Sequence, residues 1–157
     1  MTSWYVLRFN ENNKSKTIQI MKEITTYSDY FGKIFSLTDD ELSWFHSVVA
    51  RCKAATGCAV EIIAYNHDLY TGKSRDALGC CITDNIADPL QGDTCITIDT
   101  WFIHEKWEEE FNDGFCIEKM SLVEVIAHEI AHTYQWRHCK RHQRITSELV
   151  EKIQTAA

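Results

Sequence analysis

Residues 128–132 read His-Glu-Ile-Ala-His, and this pentapeptide constrains the chain more than any other stretch of its sequence. It lies in the run 120–136, MSLVEVIAHEIAHTYQW, which contains neither Gly nor Pro and is therefore predicted to be helical. Because residues four apart lie on one face of a helix, His128 and His132 present two imidazoles to one point. Two neutral imidazoles at this spacing form a ligand pair for zinc, and Glu129 beside them is placed to act as a general base.

The apolar residues of this helix indicate which side faces the protein core. Val123, Ala127, Ile130 and Tyr134 recur at three- and four-residue steps and form an apolar stripe. We expect the histidine pair to point away from that stripe, toward a cleft. The alternative is a pair of surface histidines at this spacing by chance, but the glutamate between them favours a metal site.

Length and cysteine content predict the class of protein. A chain of 157 residues is the size of one domain, spanning 1–157, that can bury a core. No apolar run is long enough to cross a bilayer, so no membrane partner is expected. The N-terminal residues lack the pattern of a secretory signal, and the seven cysteines are an odd number. They are therefore expected to be reduced thiols of a cytoplasmic protein.

The distribution of charge gives one further indication. A net charge of −7 argues against a protein whose whole surface binds nucleic acid. A basic block nevertheless lies near the histidines, and it consists of Arg137, Lys140, Arg141 and Arg144. Cations are favoured where a helix ends, which is the simpler explanation of this block. The other explanation is a patch that contacts substrate or a polyanion.

The order of predicted helices and strands favours an α+β fold. We predict a strand at 4–9, a helix over 15–35, and a second helix that opens with the capping box Thr38–Glu41 and ends at Gly57. Strands over 59–65, 78–83 and 95–99, a short helix over 102–111, the histidine helix and a last helix over 143–155 follow. The prediction is a single domain with N-terminal helices, a small mixed or antiparallel sheet, the histidine helix and a C-terminal helix.

A hydrolytic zinc site takes three protein ligands and keeps one position for water. The candidates for the third ligand are His138, His142, Glu148 and Glu151. A straight helix would carry His138 far around its axis from His132, so the chain must bend first. No Gly or Pro follows Gly114 to ease that bend, which favours His142, while a folded-back last helix would bring in Glu148. The residues alone leave the choice open.

The segment 128–138, HEIAHTYQWRH, has the HExxHxxxxxH spacing of metzincin and WLM metallopeptidases. The longer tract HEIAHTYQWRHCKRHQRI resembles the SprT-like family, and the resemblance covers about residues 94–150. It implies a zincin-like fold in which His128 and His132 are zinc ligands, Glu129 is catalytic and His138 is the third ligand. With a shortened loop, His142 would be the third ligand instead.

The sequence departs from the patterns of these families in two respects. Metzincins have Gly where this chain has Gln135, and they have a methionine turn downstream, whereas the methionines here are Met1, Met21 and Met120. No cysteine pairs typical of a C-terminal zinc ribbon follow the histidines. The first departure argues against a true metzincin and leaves the SprT-like and WLM group, whereas the missing zinc ribbon weakens the connection to DNA.

The functional expectation is a zinc-dependent metallopeptidase in which Glu129 assists the attack of zinc-bound water on a peptide bond. The expected partners are protein or peptide substrates, and the resemblance adds protein–DNA substrates. The strand 95–99 is expected to be the edge along which an extended peptide binds. The alternative is a non-catalytic zincin-fold binding or regulatory protein with a structural or vestigial metal. Substrate specificity and oligomeric state do not follow from the sequence.

Overall fold

The computed structural model describes the strand Leu7–Arg8 and residues 21–156, and these form an α+β fold. The strands are β1 (Leu7–Arg8), β2 (Thr26–Ser28), β3 (Ile34–Ser36), β4 (Glu61–Tyr65), β5 (Gly79–Thr83) and β6 (Thr94–Asp99). The α-helices are α1 (Asp39–Thr56), α2 (Thr100–Phe111), α3 (Leu122–Ala131) and α4 (Lys140–Thr155). Short 3-10 helices occupy His67–Leu69, Gly72–Asp76 and Pro89–Gln91. Within the described ranges no helix combines the length and apolar character needed to cross a membrane.

The main sheet is mixed, as expected, and has the strand order β1-β5-β6-β4. β6 pairs parallel with β4 and antiparallel with β5, so that Ile96 lies opposite Ile62 on one side and Cys81 on the other. Both edges of β6 are therefore already hydrogen-bonded within the sheet. The prediction that 95–99 offers a free edge for an extended peptide is wrong for this reason.

The core lies between one face of this sheet and the helices α1, α3 and α4. Ile96 and Ile98 of β6 contribute to it, and so do the following buried residues of the helices: Phe45, Val49, Ile126, Ile130, Leu149 and Ile153. The last helix thus packs against α3 and α1. All seven cysteines are free thiols and six of them are buried, which agrees with the expected reduced state.

The first long helix follows its local sequence signals. Thr38 accepts a hydrogen bond from the Glu41 backbone N–H, and the Glu41 carboxylate accepts one from the Thr38 N–H, which confirms the capping box. Gly57 ends the helix with φ 72°, a left-handed conformation that Gly adopts without a Cβ clash. The predicted bounds of this helix are therefore correct.

The helix predicted over 15–35 is wrong in the part that the structure describes; 15–20 lie outside it. Residues 26–36 form a hairpin of β2 and β3 instead. The Asp29 carboxylate accepts hydrogen bonds from the N–H groups of Phe31 and Lys33, and Gly32 adopts φ 77°. This local Asp–Gly turn competes with a helix and prevails. Of the predicted strand 4–9, Leu7–Arg8 are in a strand, and the other residues lie outside the description.

Candidate metal centre

The histidine helix α3 begins at a second capping box. The Ser121 hydroxyl accepts from the Glu124 N–H, and the Glu124 carboxylate accepts from the Ser121 N–H. Every residue from 125 to 131 is buried, so the helix runs through the protein interior rather than along one side of it. The expected apolar stripe is therefore only part of the buried surface. Tyr134 lies beyond the helix and is 46% exposed, which makes its predicted core position wrong.

The chain bends directly after this helix without any Gly or Pro. The N–H groups of Thr133 and Tyr134 donate to carbonyls three residues back, so the last turn tightens. The Thr133 hydroxyl donates to the Ile130 carbonyl at 2.6 Å and occupies a backbone acceptor at the helix end. The next residues run back toward α3, so that His138 lies beside it, before α4 starts at Lys140. The bend that counted against His138 is thus present.

This bend brings three imidazole nitrogens together. The Nε2 atom of His138 lies 3.1 Å from Nε2 of His128 and 3.0 Å from Nε2 of His132. The Nε2 atoms of His128 and His132 are 3.2 Å apart. The three side chains predicted as ligands on the spacing of the motif therefore converge on one point.

Protons cannot satisfy this triangle of nitrogens. Each Nε2 atom carries either one hydrogen or one lone pair, so it acts either as a donor or as an acceptor. Among three atoms of two kinds, at least two are alike, and their contact at this distance is repulsive. A cation between three lone pairs removes the conflict, and His128, His132 and His138 could therefore hold a metal ion.

The hydrogen bond of His132 favours a lone pair on its Nε2 atom. Its Nδ1 atom donates to the Trp136 carbonyl at 2.8 Å, which assigns the hydrogen to Nδ1 and leaves Nε2 unprotonated. The acceptor that orients this imidazole is thus a backbone carbonyl and not a carboxylate. The sequence alone did not identify Trp136 as the acceptor, because the position of its carbonyl depends on the bend after α3.

A fourth imidazole lies against the other three. The ring centroid of His142 is 4.4 Å from that of His128, 4.2 Å from that of His132 and 5.3 Å from that of His138. One nitrogen of His142 lies within 4.8 Å of ligand atoms of His128 and His132, so these three could also hold a metal ion. The His138 set is the tighter one. The Nε2 atom of His142 also donates to the His128 carbonyl at 3.1 Å, which makes His142 a support for that residue.

Burial keeps these imidazoles neutral. Burial, together with a smaller effect of the neighbouring imidazoles, lowers the pKa of His128 to about 2 and that of His132 to about 3. Neutral imidazole is the form that coordinates metals. At physiological pH the site therefore offers lone pairs rather than positive charges.

Glu129 is the most unusual polar residue of the described chain. It has no exposed surface, and neither oxygen of its carboxylate has a hydrogen-bond partner among the residues described. Burial raises its pKa well above the usual range. The side chain lies against β5, where Gly79 leaves room for it. The sequence marked Glu129 as a functional residue, but it gave no sign that Gly79 lies against it.

A cavity of about 380 Å³ opens beside the histidines. It is lined by His128, His138, His142, Gln143, Thr146 and Ser147. Glu129 is not part of this lining, and the alternative ligands Glu148 and Glu151 are exposed on α4. The open side of the centre is therefore formed by the first half of α4.

The basic block lies on the surface beside this opening. Arg137 lies six residues beyond Ala131, the last residue of α3, whereas Lys140 and Arg141 lie in the first turn of α4 and Arg144 follows them. The positive end of a helix dipole does not favour cations. Helix-end electrostatics therefore does not explain this basic block.

A second group of ligand atoms lies between α1 and α2. Atoms of Glu41, His104 and Glu108 lie within 4.8 Å of one another and could hold a metal ion. The two oxygens of Glu41 already accept from the Thr38 N–H and from Nδ1 of His104, at 3.1 and 2.9 Å. The helix cap and the hydrogen bond to His104 thus explain the position of Glu41 without a metal ion, whereas hydrogen bonds cannot satisfy the three Nε2 atoms of the histidine centre.

No family model, curated protein or solved structure matches this chain. The functional conclusion therefore depends on the geometry of the centre.

Proposed function

We propose that this protein is a zinc-dependent metallopeptidase of the zincin-like, SprT-like kind. His128, His132 and His138 would hold Zn²⁺, and Glu129 would be the general base. Protein or peptide chains would be the substrates. A cytoplasmic location is part of the proposal and is supported by the seven free thiols.

The mutual distances of the three Nε2 atoms carry this proposal. Tetrahedral zinc with Zn–N bonds of about 2.0–2.1 Å requires ligand nitrogens about 3.3 Å apart. The observed separations of 3.0, 3.1 and 3.2 Å are close to that value. A set of imidazoles suits zinc and also copper, iron and nickel, so the identity of the metal has to be measured.

Glu129 supplies the second support. A buried carboxylate without hydrogen-bond donors is costly, and a divalent cation held by its neighbour His128 would offset that cost and favour the ionised form. When bound, zinc would supply a Lewis acid and a nucleophile at neutral pH. Ionised Glu129 would accept a proton during the attack on the peptide carbonyl and return it to the leaving amine.

Metal analysis and peptidase assays of matched variants test this proposal. We expect purified protein to hold one zinc per chain and to cleave casein or itself. Glu129→Gln should keep the zinc and lose the activity, because the amide cannot accept the proton. Glu148→Gln changes an exposed glutamate of α4 and should keep both. Equal activity in wild type and Glu129→Gln, or the absence of stoichiometric metal after reconstitution, would refute the proposal.

A non-catalytic zincin-fold protein is the second candidate, and the placement of His142 and Glu129 favours it. His142 could close the site as a fourth imidazole, and closed four-ligand sites are structural. Glu129 has no exposed surface and does not line the cavity that reaches the histidines. Stoichiometric zinc that raises the melting temperature, without peptidase activity in any variant, is the result expected for this candidate.

Protein–DNA substrates form the least supported part of the proposal. The exposed cations Lys140, Arg141 and Arg144 next to the opening support a contact with a polyanion. The net charge of −7 opposes such binding over the rest of the surface.

A further inference from the structure

We propose that Gly79 is a positioning residue for Glu129: its missing side chain provides the space in which the carboxylate is held beside the histidine centre. This inference rests on the proposed function. Gly79 opens β5, is buried, and pairs with Ile98 of β6. It has no place among the residues that the histidine motif identifies, and it lies 50 positions before Glu129 in the chain.

The contact between the two residues leaves no room for a methyl group. A Cβ atom at Gly79 would lie 2.8 Å from Cγ of Glu129, 3.1 Å from Oε1 and 3.2 Å from Cδ. Carbon atoms that are not bonded meet at about 3.5–4.0 Å, so all three atoms would have to move. The closest of them is Cγ, in the middle of the side chain, and moving it displaces the whole carboxylate.

Backbone conformation does not account for this glycine. The glycines with positive φ are Gly32, Gly57 and Gly72, whereas Gly79 lies in a regular strand. Alanine could adopt that conformation without strain. The need for glycine is therefore one of space, and the atoms that fill the space belong to Glu129.

The burial of Glu129 makes the displacement consequential. The side chain has no exposed surface, so it cannot swing into solvent when a methyl group is added. Cys81, two residues along β5, projects from the same face of the strand as Gly79 and is buried in the core that also contains Ile126 and Ile130 of α3. Strand β5 thus forms the wall against which the carboxylate rests.

The test is Gly79→Ala, in wild type and in Glu129→Ala, with zinc content, melting temperature and kinetics measured on each. In wild type we expect a melting temperature lower by roughly 2–10 °C, because overpacking a core is destabilising. Zinc content should not change, because the atoms nearest to the added Cβ belong to Glu129 and not to a ligand imidazole. The value of kcat should fall about 10²-fold with KM within about 2-fold, as expected when a catalytic group is misplaced by about 1 Å.

In the Glu129→Ala background, the same substitution should change the melting temperature by less than about 1 °C, because no atoms then fill the space. A loss of melting temperature that is the same in both backgrounds would overturn the inference. So would a Gly79→Ala protein with the kcat of wild type. If Gly79→Ala is not recovered folded, the double variant decides: a folded double variant supports the contact and an unfolded one refutes it.

Gly92→Ala is the matched control. A Cβ atom at Gly92 would overlap Asp84 and Asn85, in a loop outside α3 and β5. It should lower the melting temperature in both backgrounds alike and leave kcat unchanged. A wild type that holds zinc but cleaves nothing would remove the proposed function, whereas the coupling between Gly79 and Glu129 would still be measurable as a difference in melting temperature.

Discussion

Replacing Glu129 by Met should stabilise the metal-free protein while it abolishes activity. Glu129 is fully buried, and its two oxygens have no hydrogen-bond partner within the described part of the chain. A buried polar group without a partner costs about 1–3 kcal/mol, and an apolar side chain of similar volume avoids that cost. Met keeps a Cγ atom in the same place beside Gly79. We therefore expect the free energy of unfolding to rise by about 1–3 kcal/mol.

The effect should depend on pH in a defined direction. Burial raises the pKa of Glu129 in the folded protein above its ordinary value of 4.5. At a pH between 4.5 and the folded-state pKa, the folded protein therefore holds a proton that the unfolded chain has lost. The favourable contribution of this group is complete below pH 4.5 and is lost as the pH rises through the folded-state pKa. The advantage of Met over Glu in the metal-free protein should therefore grow as the pH rises above 4.5.

Urea unfolding with a chelator present measures this difference. Glu148→Met, at an exposed position of α4, should change the free energy of unfolding by no more than about 0.5 kcal/mol. Added zinc should stabilise wild type more than Glu129→Met, because only wild type gains a partner for its carboxylate. If Glu129→Met lowers the stability of the metal-free protein by more than about 1 kcal/mol and Glu148→Met does not, the carboxylate is satisfied in the folded protein and the reasoning is wrong.

Three further predictions concern other residues. His138→Ala should weaken zinc binding by more than about 100-fold, and His142→Ala, which removes a support, by about 10–100-fold; equal losses in a competition with a chromophoric chelator would indicate a closed site of four imidazoles. Burial lowers the pKa of His67 to about 4. Its contribution to stability is therefore complete above pH 6.5, and about 3 kcal/mol should be lost as the pH falls to 4. His67→Gln should not show that loss in urea unfolding at several pH values, and identical pH profiles would contradict the assignment. Finally, replacing Lys140 and Arg144 by Gln should make DNA affinity less dependent on salt concentration, by the change in slope that corresponds to about two lost phosphate contacts. A wild type that does not bind DNA would remove protein–DNA substrates from the proposal.

Local sequence signals correctly predicted features that are stabilised by residues close to one another in the sequence. The capping box at Thr38 and the glycine at Gly57 bound α1 because a side chain three residues away, or a left-handed backbone, satisfies the helix ends. The four-residue spacing of His128 and His132 likewise brings their Nε2 atoms to 3.2 Å once the helix forms. These outcomes involve interactions within one or two helical turns, and such interactions can be read from the order of residues.

The prediction for 15–35 was wrong because two local patterns compete, and the prediction for 95–99 was wrong because strand pairing is not a local property. Apolar spacing favoured a helix over 15–35, but the turn at Asp29 and Gly32 stabilises a hairpin across residues 26–36. The strand 95–99 was correctly predicted as a strand and wrongly as an edge, because β6 pairs on one side with β5, the strand before it, and on the other with the more distant β4. Strand order depends on pairing between segments, which no single segment encodes.

The sequence alone determined the pair of imidazoles four residues apart, the acid between them and the ends of the first long helix. Tertiary structure alone decided that His138 completes the triangle, that His142 supports a carbonyl, and that Glu129 is enclosed beside Gly79. The physical reason is the range of the interactions. Helix caps, four-residue spacings and the tightened turn at the end of α3 act between residues that are close in the sequence. The placement of His138 and His142 beside the histidine pair, and the wall of β5 against Glu129, exist only after the helices have packed on one another and on the sheet.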